Sequence, residues 1–281
     1  MIIQQALINA ARSLKSAGID THQLDARILL KYVLDIDDAE LITSSQKKLS
    51  EGQYKEFKGL LAIRATRKPI SKILGIKEFW GREFIVNEHV LDPRPDTEIL
   101  IEQVLAFVKE KNFSSPKILE LGCGSGCISI TLACEIKGAD VTAIDISPKA
   151  LDLAQQNANK HDVGDKVRFI QNDWAHGLEG MFDIVISNPP YIARKTCESL
   201  MPEVKNHDPI LALDGGISGN EAYENIFSHI FPLINPQGVL FFELDSSNLA
   251  GIRRLCETYR VALDQEVTDL SEQIRVVKII P

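Results

Sequence analysis

No run of about 18 consecutive apolar residues occurs in this chain, and its start lacks the apolar block of a signal peptide. Neither a membrane-spanning helix nor secretion is therefore expected. Cysteine is scarce: five residues, an odd number, are scattered among 281 positions with no Cys-x-x-Cys pair. A disulfide framework and a zinc site are both unexpected, and a reducing cytoplasm is the natural compartment. A basic excess is missing too. The formal net charge of -8 argues against binding nucleic acid by general phosphate attraction. Internal repeats and low-complexity tracts are absent, which leaves ordinary globular domains.

What is present suits such domains. Hydrophobic residues at 44% and charged residues at 25% are enough for a substantial core, and the length calls for one large or two unequal domains. The charge is uneven: residues 1–90 hold 14 Lys+Arg against 11 Asp+Glu, and the remainder 17 against 28. A cluster of Arg64, Arg67, Lys68, Lys72 and Lys77 reads as a solvated face or as a surface for an anionic partner.

Residues 1–72 carry helical periodicity. Ile3, Leu7, Ala10 and Leu14 mark a first helix ended by Gly18, and Leu24, Ile28 and Tyr32 form the expected apolar face of a second. A short helix around Leu41 follows, and Ser50 with Gln53 fits a capping box for a helix bearing Phe57. No catalytic constellation lies here, so this stretch is expected to be a recognition domain. Residues 73–95 turn to β character, with Lys77–Trp80 and Arg82–Val86 flanking Gly81 as a hairpin linker. In Asp92-Pro93-Arg94-Pro95-Asp96-Thr97-Glu98 the prolines hold the chain extended, and Asp96 or Thr97 is expected to cap the next helix.

Residues 96–281 alternate strand and helix signals, which implies a mostly parallel sheet. The first strand, Lys117–Leu121, runs into Gly122-Cys123-Gly124-Ser125-Gly126 and then an apolar helix. Glycines here bring backbone N–H groups against a ligand at a helix N-terminus. The dinucleotide fingerprint wants its third glycine three positions after the second, whereas Gly126 follows Gly124 by two. The second strand ends in Asp145, where a carboxylate accepts both ribose hydroxyls of a nucleoside. The third leads to Asp173-Trp174, an acid for an adenine amine beside an indole for its ring. A fourth, Phe182–Ser187, stops at Asn188-Pro189-Pro190-Tyr191, since proline cannot donate to a sheet. Asn188 Oδ1 and the Pro189 carbonyl can accept both N–H bonds of a planar NH2 group while Tyr191 packs on its face. That describes a clamp for an amide or an exocyclic base amine. The alternative is a proline-stopped strand with an ordinary loop. A long loop at 192–219, a fifth strand Gly238–Glu243, a helix over 249–259 and a last strand over 273–280 complete the domain.

Lys77-Glu-Phe-Trp80, Val86-Asn-Glu88, Pro93–Glu98, Glu120–Gly126, Ser187–Ile192 and Leu211–Gly216 occur in one ordered series. This series resembles that of the peptide chain release factor glutamine methyltransferases, the HemK or PrmC family, over nearly the full length. The resemblance implies an α/β class I methyltransferase domain with a Rossmann-like, mostly parallel sheet and a small all-helical N-terminal domain joined by a β-hairpin. It implies transfer of a methyl from S-adenosylmethionine, leaving S-adenosylhomocysteine, to the amide nitrogen of glutamine in the Gly-Gly-Gln motif of release factors, with no metal. Cofactor contacts carry over to Glu120, Gly122, Cys123, Gly124, Ser125, Gly126, Asp145, Asp173, Trp174 and Asn188. Catalytic and substrate contacts carry over to Asn188, Pro189, Pro190 and Tyr191. Two positions depart from the family pattern: Asp92 stands where an aliphatic residue is common, and Glu243-Leu244-Asp245 where Glu-Ile-Gly is. No stable nucleic-acid or membrane partner is expected, and a monomer is. The rivals are a nucleic-acid adenine methyltransferase and a non-catalytic cofactor-binding module.

Overall fold

A computed structural model describes all 281 residues, which form two compact units, Met1–Gly75 with Met201–His207, and Ile76–Leu200 with Asp208–Pro281. No helix is both long and apolar enough to cross a bilayer.

The first unit holds α1 (Ile3–Ser16), α2 (His22–Leu34), α3 (Asp38–Thr43), α4 (Glu51–Ala65) and α5 (Ile70–Leu74). Ile3, Ala6, Ala10 and Leu14 bury the predicted stripe of α1. The capping box at Ser50 forms with both of its bonds, Gln53 N–H to Ser50 Oγ and Ser50 N–H to Gln53 Oε1. The face expected of α2 is wrong. Leu24 and Tyr32 are exposed, and Ala26, Leu29 and Leu30 enter the core beside Asp25. Asp25 explains the choice, because its carboxylate meets Arg64 Nε at 2.7 Å with both side chains buried. The basic cluster is accordingly not one solvated face. Arg64 and Arg67 both pair with Glu203, at 3.3 and 2.7 Å, from the segment Met201–His207 that packs in this unit. Lys72 is also buried.

The second unit opens with the hairpin β1 (Ile76–Phe79) and β2 (Arg82–Ile85). Trp80 and Gly81 both have positive φ, 53° and 67°, as a two-residue type I′ turn requires. A tryptophan is strained there, and Glu98 Oε1 holds it by accepting the Trp80 N–H at 2.8 Å. Next come α6 (Thr97–Lys111), β3 (Lys117–Leu121), α7 (Cys127–Glu135), β4 (Asp140–Asp145), α8 (Pro148–Lys160), β5 (Val167–Gln171) and β6 (Phe182–Ser187). Two single turns follow, α9 (Arg194–Cys197) and α10 (Pro202–Lys205), the latter in the first unit. The chain ends with α11 (Glu221–Ile230), β7 (Ile234–Glu243), α12 (Leu249–Tyr259), β8 (Ala262–Thr268) and β9 (Ile274–Ile280).

The seven-stranded sheet has the order β5-β4-β3-β6-β7-β9-β8. The first five strands along it are parallel, and β9 inserts antiparallel between β7 and β8. Strand β8 has no counterpart in the sequence reading, because none of its residues is buried at this edge position and its apolar Ala262, Leu263 and Val267 do not alternate. Side chains alternate across the sheet. Ile118, Ile184, Ile186 and Phe241 enter one apolar cluster with Leu100 and Val104 of α6. Leu119, Val185, Leu240 and Phe242 enter the other with Tyr223 and Phe227 of α11. Strands β3 to β5 step outward one way, and the chain then returns to start β6 on the other side of β3. That reversal leaves a crevice beyond the carboxyl ends of β3 and β6, where open α/β sheets hold their ligands.

Candidate active site

The crevice is a cavity of about 390 Å³ whose wall includes Glu120, Cys123, Asp145, Trp174, Thr97 and Asn188. The chain can turn here because Gly122, Gly124 and Gly126 all have positive φ, 76°, 53° and 77°, a region that side chains disfavour. The loop wraps the end of β4, with the Ile144 carbonyl accepting from Gly122 N–H at 2.8 Å and from Cys123 N–H at 2.9 Å. Asn157 of α8 fixes the far side. Fully buried, it donates to the carbonyls of Ser125 (2.9 Å) and Ile85 (3.0 Å) and accepts the Ile85 N–H at 2.7 Å. One side chain thus ties the glycine loop to the end of the hairpin.

Asp145 closes one end of the cavity. Its two oxygens accept Gly124 N–H at 2.8 Å and Ser147 N–H at 2.9 Å. Burial raises its carboxyl above the ordinary range, against those same N–H bonds. Glu120 is more deeply buried and touches only the Ser129 N–H and hydroxyl, and burial pushes its carboxyl up to about 8. Cys123 and Cys127 are buried thiols whose ionisation is also pushed up by desolvation, the opposite of an activated nucleophile. Trp174, at φ 49°, sets its ring edge against Gly122, and its carbonyl accepts from Asn172 Nδ2 at 3.1 Å.

Asn188 faces the cavity from the end of β6, its Nδ2 3.3 Å from Thr97 Oγ1. Thr97 is buried at the start of α6, and neither it nor Asp96 caps that helix, contrary to expectation. Asp96 turns to Arg275 instead, at 3.4 Å. Behind Thr97 lies Glu243, the last residue of β7. Its carboxylate is fully buried, interacts with the Thr97 and Asn188 side chains, and has one oxygen, Oε2, with no hydrogen-bond partner. The following loop is defined: Asp245 accepts from Ser247 N–H at 3.0 Å and lies 3.6 Å from Arg275. The loop after Tyr191 folds back beside the clamp, with Ile192 N–H bonded to the Leu213 carbonyl at 3.1 Å and Gly215 N–H to the Ile192 carbonyl at 2.9 Å. A Cβ at Gly215 would stand 2.7 Å from the Pro190 carbonyl, so only glycine fits that approach.

Of the residues singled out in the sequence, Glu120, Gly122, Cys123, Gly124, Ser125, Asp145, Asp173, Trp174, Asn188 and Pro190 meet on this one cavity. Gly126, Pro189 and Tyr191 are not on its wall. Gly126 packs on Ala154 and Ile130, Pro189 is buried, and Tyr191 packs against the α11 side of the core. Sequence reasoning missed Thr97, Glu243 and Asn157 as site residues. Glu243 carried a usable signal, since it ends a strand at the same edge of the sheet as Asp145. Thr97 sat in a stretch already singled out, whereas nothing in the sequence around Asn157 marks it.

Strand order, glycine loop and the acid ending β4 together define a class I methyltransferase fold. The methyltransferase small domain profile matches residues 93–206, and the PrmC N-terminal domain profile matches residues 5–75. A release factor glutamine methyltransferase of Caulobacter vibrioides is 36% identical over 279 residues, covering 99% of this chain and 96% of its own. The chain belongs to the release factor glutamine methyltransferase family. A bifunctional methyltransferase of Rickettsia prowazekii is 37% identical over 296 residues, covering 99% of this chain and 57% of its own. The chain thus spans little more than half the length of that longer relative. The ribosomal protein L11 methylase of Lactobacillus delbrueckii subsp. bulgaricus shares the fold, with a TM-score of 0.51 at 15% identity over 72% of this chain and 88% of that one.

Proposed function

We propose that the protein methylates the side-chain amide nitrogen of the glutamine in the Gly-Gly-Gln motif of peptide chain release factors, drawing the methyl from S-adenosylmethionine. The observation that carries this function is the meeting of Asp145, the glycine loop and Asn188 on one cavity at the switch point of the sheet. An acid, a glycine cradle and an amide clamp are the three parts such a transfer needs.

The cavity suits the cofactor chemically. Each Asp145 oxygen accepts one backbone N–H and keeps a lone pair for a ribose hydroxyl. At Gly124 nothing lies within 4 Å of a built Cβ, so the loop leaves open space where a backbone can approach a ligand. Trp174 offers an apolar ring face, and Glu120 a buried carboxyl that a neighbouring ammonium would draw back toward ionisation. When bound, S-adenosylmethionine supplies an electrophilic methyl on a sulfonium.

The chain's own residues supply orientation. An amide nitrogen is a poor nucleophile because its lone pair is delocalised, and no strong base stands at Asn188. Asn188 Oδ1 and the Pro189 carbonyl, the latter on the peptide bond to cavity-lining Pro190, hold the two N–H bonds of the glutamine amide, aim its lone pair and stabilise positive charge developing on nitrogen. Pro190 lines that end of the cavity, and Tyr191 packs into the core behind it. The proton leaves after attack, since a methylated, cationic amide is strongly acidic. The protein is proposed to act in the cytoplasm as a monomer.

The test incubates the purified protein with S-adenosylmethionine and an unmodified release factor, followed by digestion and tandem mass spectrometry. A gain of one methyl, about 14 Da, on the Gly-Gly-Gln glutamine is expected, because the clamp orients that single nitrogen. An unmodified glutamine, with the release factor folded and the cofactor bound, would refute the proposal.

A further inference from the structure

An asparagine amide presents two different faces, a carbonyl oxygen and an NH2 group, and a clamp for a substrate NH2 works in only one of its two flips. What lies behind the side chain decides which flip is stable. Behind Asn188 stand the Thr97 hydroxyl, 3.3 Å from Nδ2, and then the Glu243 carboxylate, buried with Oε2 unpartnered. Above about pH 7, where Glu243 is ionised, its carboxylate only accepts. A hydroxyl beside it therefore donates to it, and is left with lone pairs that accept from the next group. That group is Asn188, whose NH2 must point inward. The other flip would set Oδ1 against the Thr97 lone pairs and the Glu243 charge.

We propose that Glu243, acting through Thr97, is a positioning residue that fixes the Asn188 amide with its NH2 turned inward and Oδ1 turned to the cavity. This inference rests on the methyl-transfer function proposed above and adds to it the reason the clamp accepts rather than donates. The placement of the three residues suits the role: Thr97 and Asn188 line the cavity, whereas Glu243 does not. Glu243 thus reaches the substrate only through the other two. The charges around it are mixed, Arg275 favouring and Asp96 opposing its ionised form. The Tyr223 hydroxyl bonds to its backbone carbonyl at 2.8 Å rather than to its carboxylate, so the carboxylate is left to Thr97 and Asn188.

The experiment, run above about pH 7 where Glu243 is ionised, has two readouts. The first is the Asn188 side-chain NH2 resonance in ¹⁵N-labelled ligand-free protein, assigned by its loss in Asn188→Asp. It is expected to shift in Thr97→Val and in Glu243→Gln, the latter supplying a donor where the ionised carboxylate has only acceptors. The second is turnover on an unmodified release factor at saturating cofactor. Thr97→Val is expected to lose about 10- to 100-fold in kcat, the usual cost of removing a group that orients a functional side chain, with cofactor Kd unchanged. Thr97→Ser, which keeps the hydroxyl, is expected to recover most of that loss. Combined with Asn188→Ala, Thr97→Val should add no further loss, because both changes remove the same acceptor. An unmoved resonance with wild-type kcat in Thr97→Val, or losses that multiply in the double variant, would overturn the proposal. A moved resonance in a wild-type protein that leaves the glutamine unmethylated would uphold the inference and refute the methyl-transfer function.

Discussion

At the residue scale the cavity separates two kinds of carboxylate. Asp145, met by two backbone N–H groups, is placed to accept from a ligand. Glu120 and Glu243 are buried, with their carboxyls pushed up to about 8 and about 7, and serve the walls of the site. Glu120 is held by Ser129, and Glu243 lies behind Thr97 and Asn188, off the cavity wall. Asn188→Ala is expected to lower single-turnover rates by roughly 100-fold or more, the usual cost of losing one preorganised polar contact to the transition state. Near-normal rates with cofactor bound would remove Asn188 from the mechanism. Asn188 and Asp145 were legible in the sequence because each ends an apolar strand abruptly. The Glu243 and Thr97 pair was not, since the two are 146 positions apart and meet only when β7 packs beside β6 and α6 covers their ends.

At the scale of elements, the hairpin is tied to the glycine loop at the cavity. Asn157 reaches from α8 to both the Ile85 backbone and the Ser125 carbonyl, so β2 and the glycine loop share one buried anchor. Leucine in place of Asn157 would fill similar space but leave one N–H and two carbonyls without partners. Asn157→Leu should therefore destabilise the catalytic unit by about 2 to 4 kcal/mol, as buried polar groups stripped of partners typically cost. Urea unfolding followed by Trp fluorescence measures it, and a change under about 0.5 kcal/mol, the level of an ordinary surface substitution, would show that the hairpin docks without this anchor. Likewise Glu98, in the first turn of α6, holds the Trp80 N–H in the strained hairpin turn. Periodicity finds such elements; it does not say which polar side chain holds two of them together.

Across the whole molecule, the buried acids set a pH dependence of stability. Glu120 and Glu243 have an ordinary value of 4.5 and folded values of about 8 and about 7. Between 4.5 and those values the folded chain keeps protons that the unfolded chain has released. Stability therefore falls as pH rises through that window. Asp38, Asp214 and Asp269 are held below the ordinary range by their hydrogen bonds and neighbouring Lys or Arg. Their contribution is already complete at the lower edge of the window and is lost only in stronger acid. Thermal unfolding of the ligand-free protein from roughly pH 5 to 8 should show a falling midpoint, and Glu120→Gln should flatten much of the slope. A midpoint that rises or stays level over that range would mean that both acids are ionised in the folded state.

Local features are readable from the chain alone. Alternating apolar strands and helices, glycines at a strand's end and prolines that stop a strand are all short-range constraints, and they specified the parallel sheet, the loop, Asp145 and the Asn188 turn. Tertiary structure decided what depends on distant partners. It turned α2 to its other face so that Asp25 could meet Arg64, and it drew Arg64 and Arg67 inward to Glu203. It slid β9 between β7 and an edge strand too polar to be seen in sequence. It also set the buried Glu243 carboxyl behind Thr97 and Asn188, because that group comes from another strand.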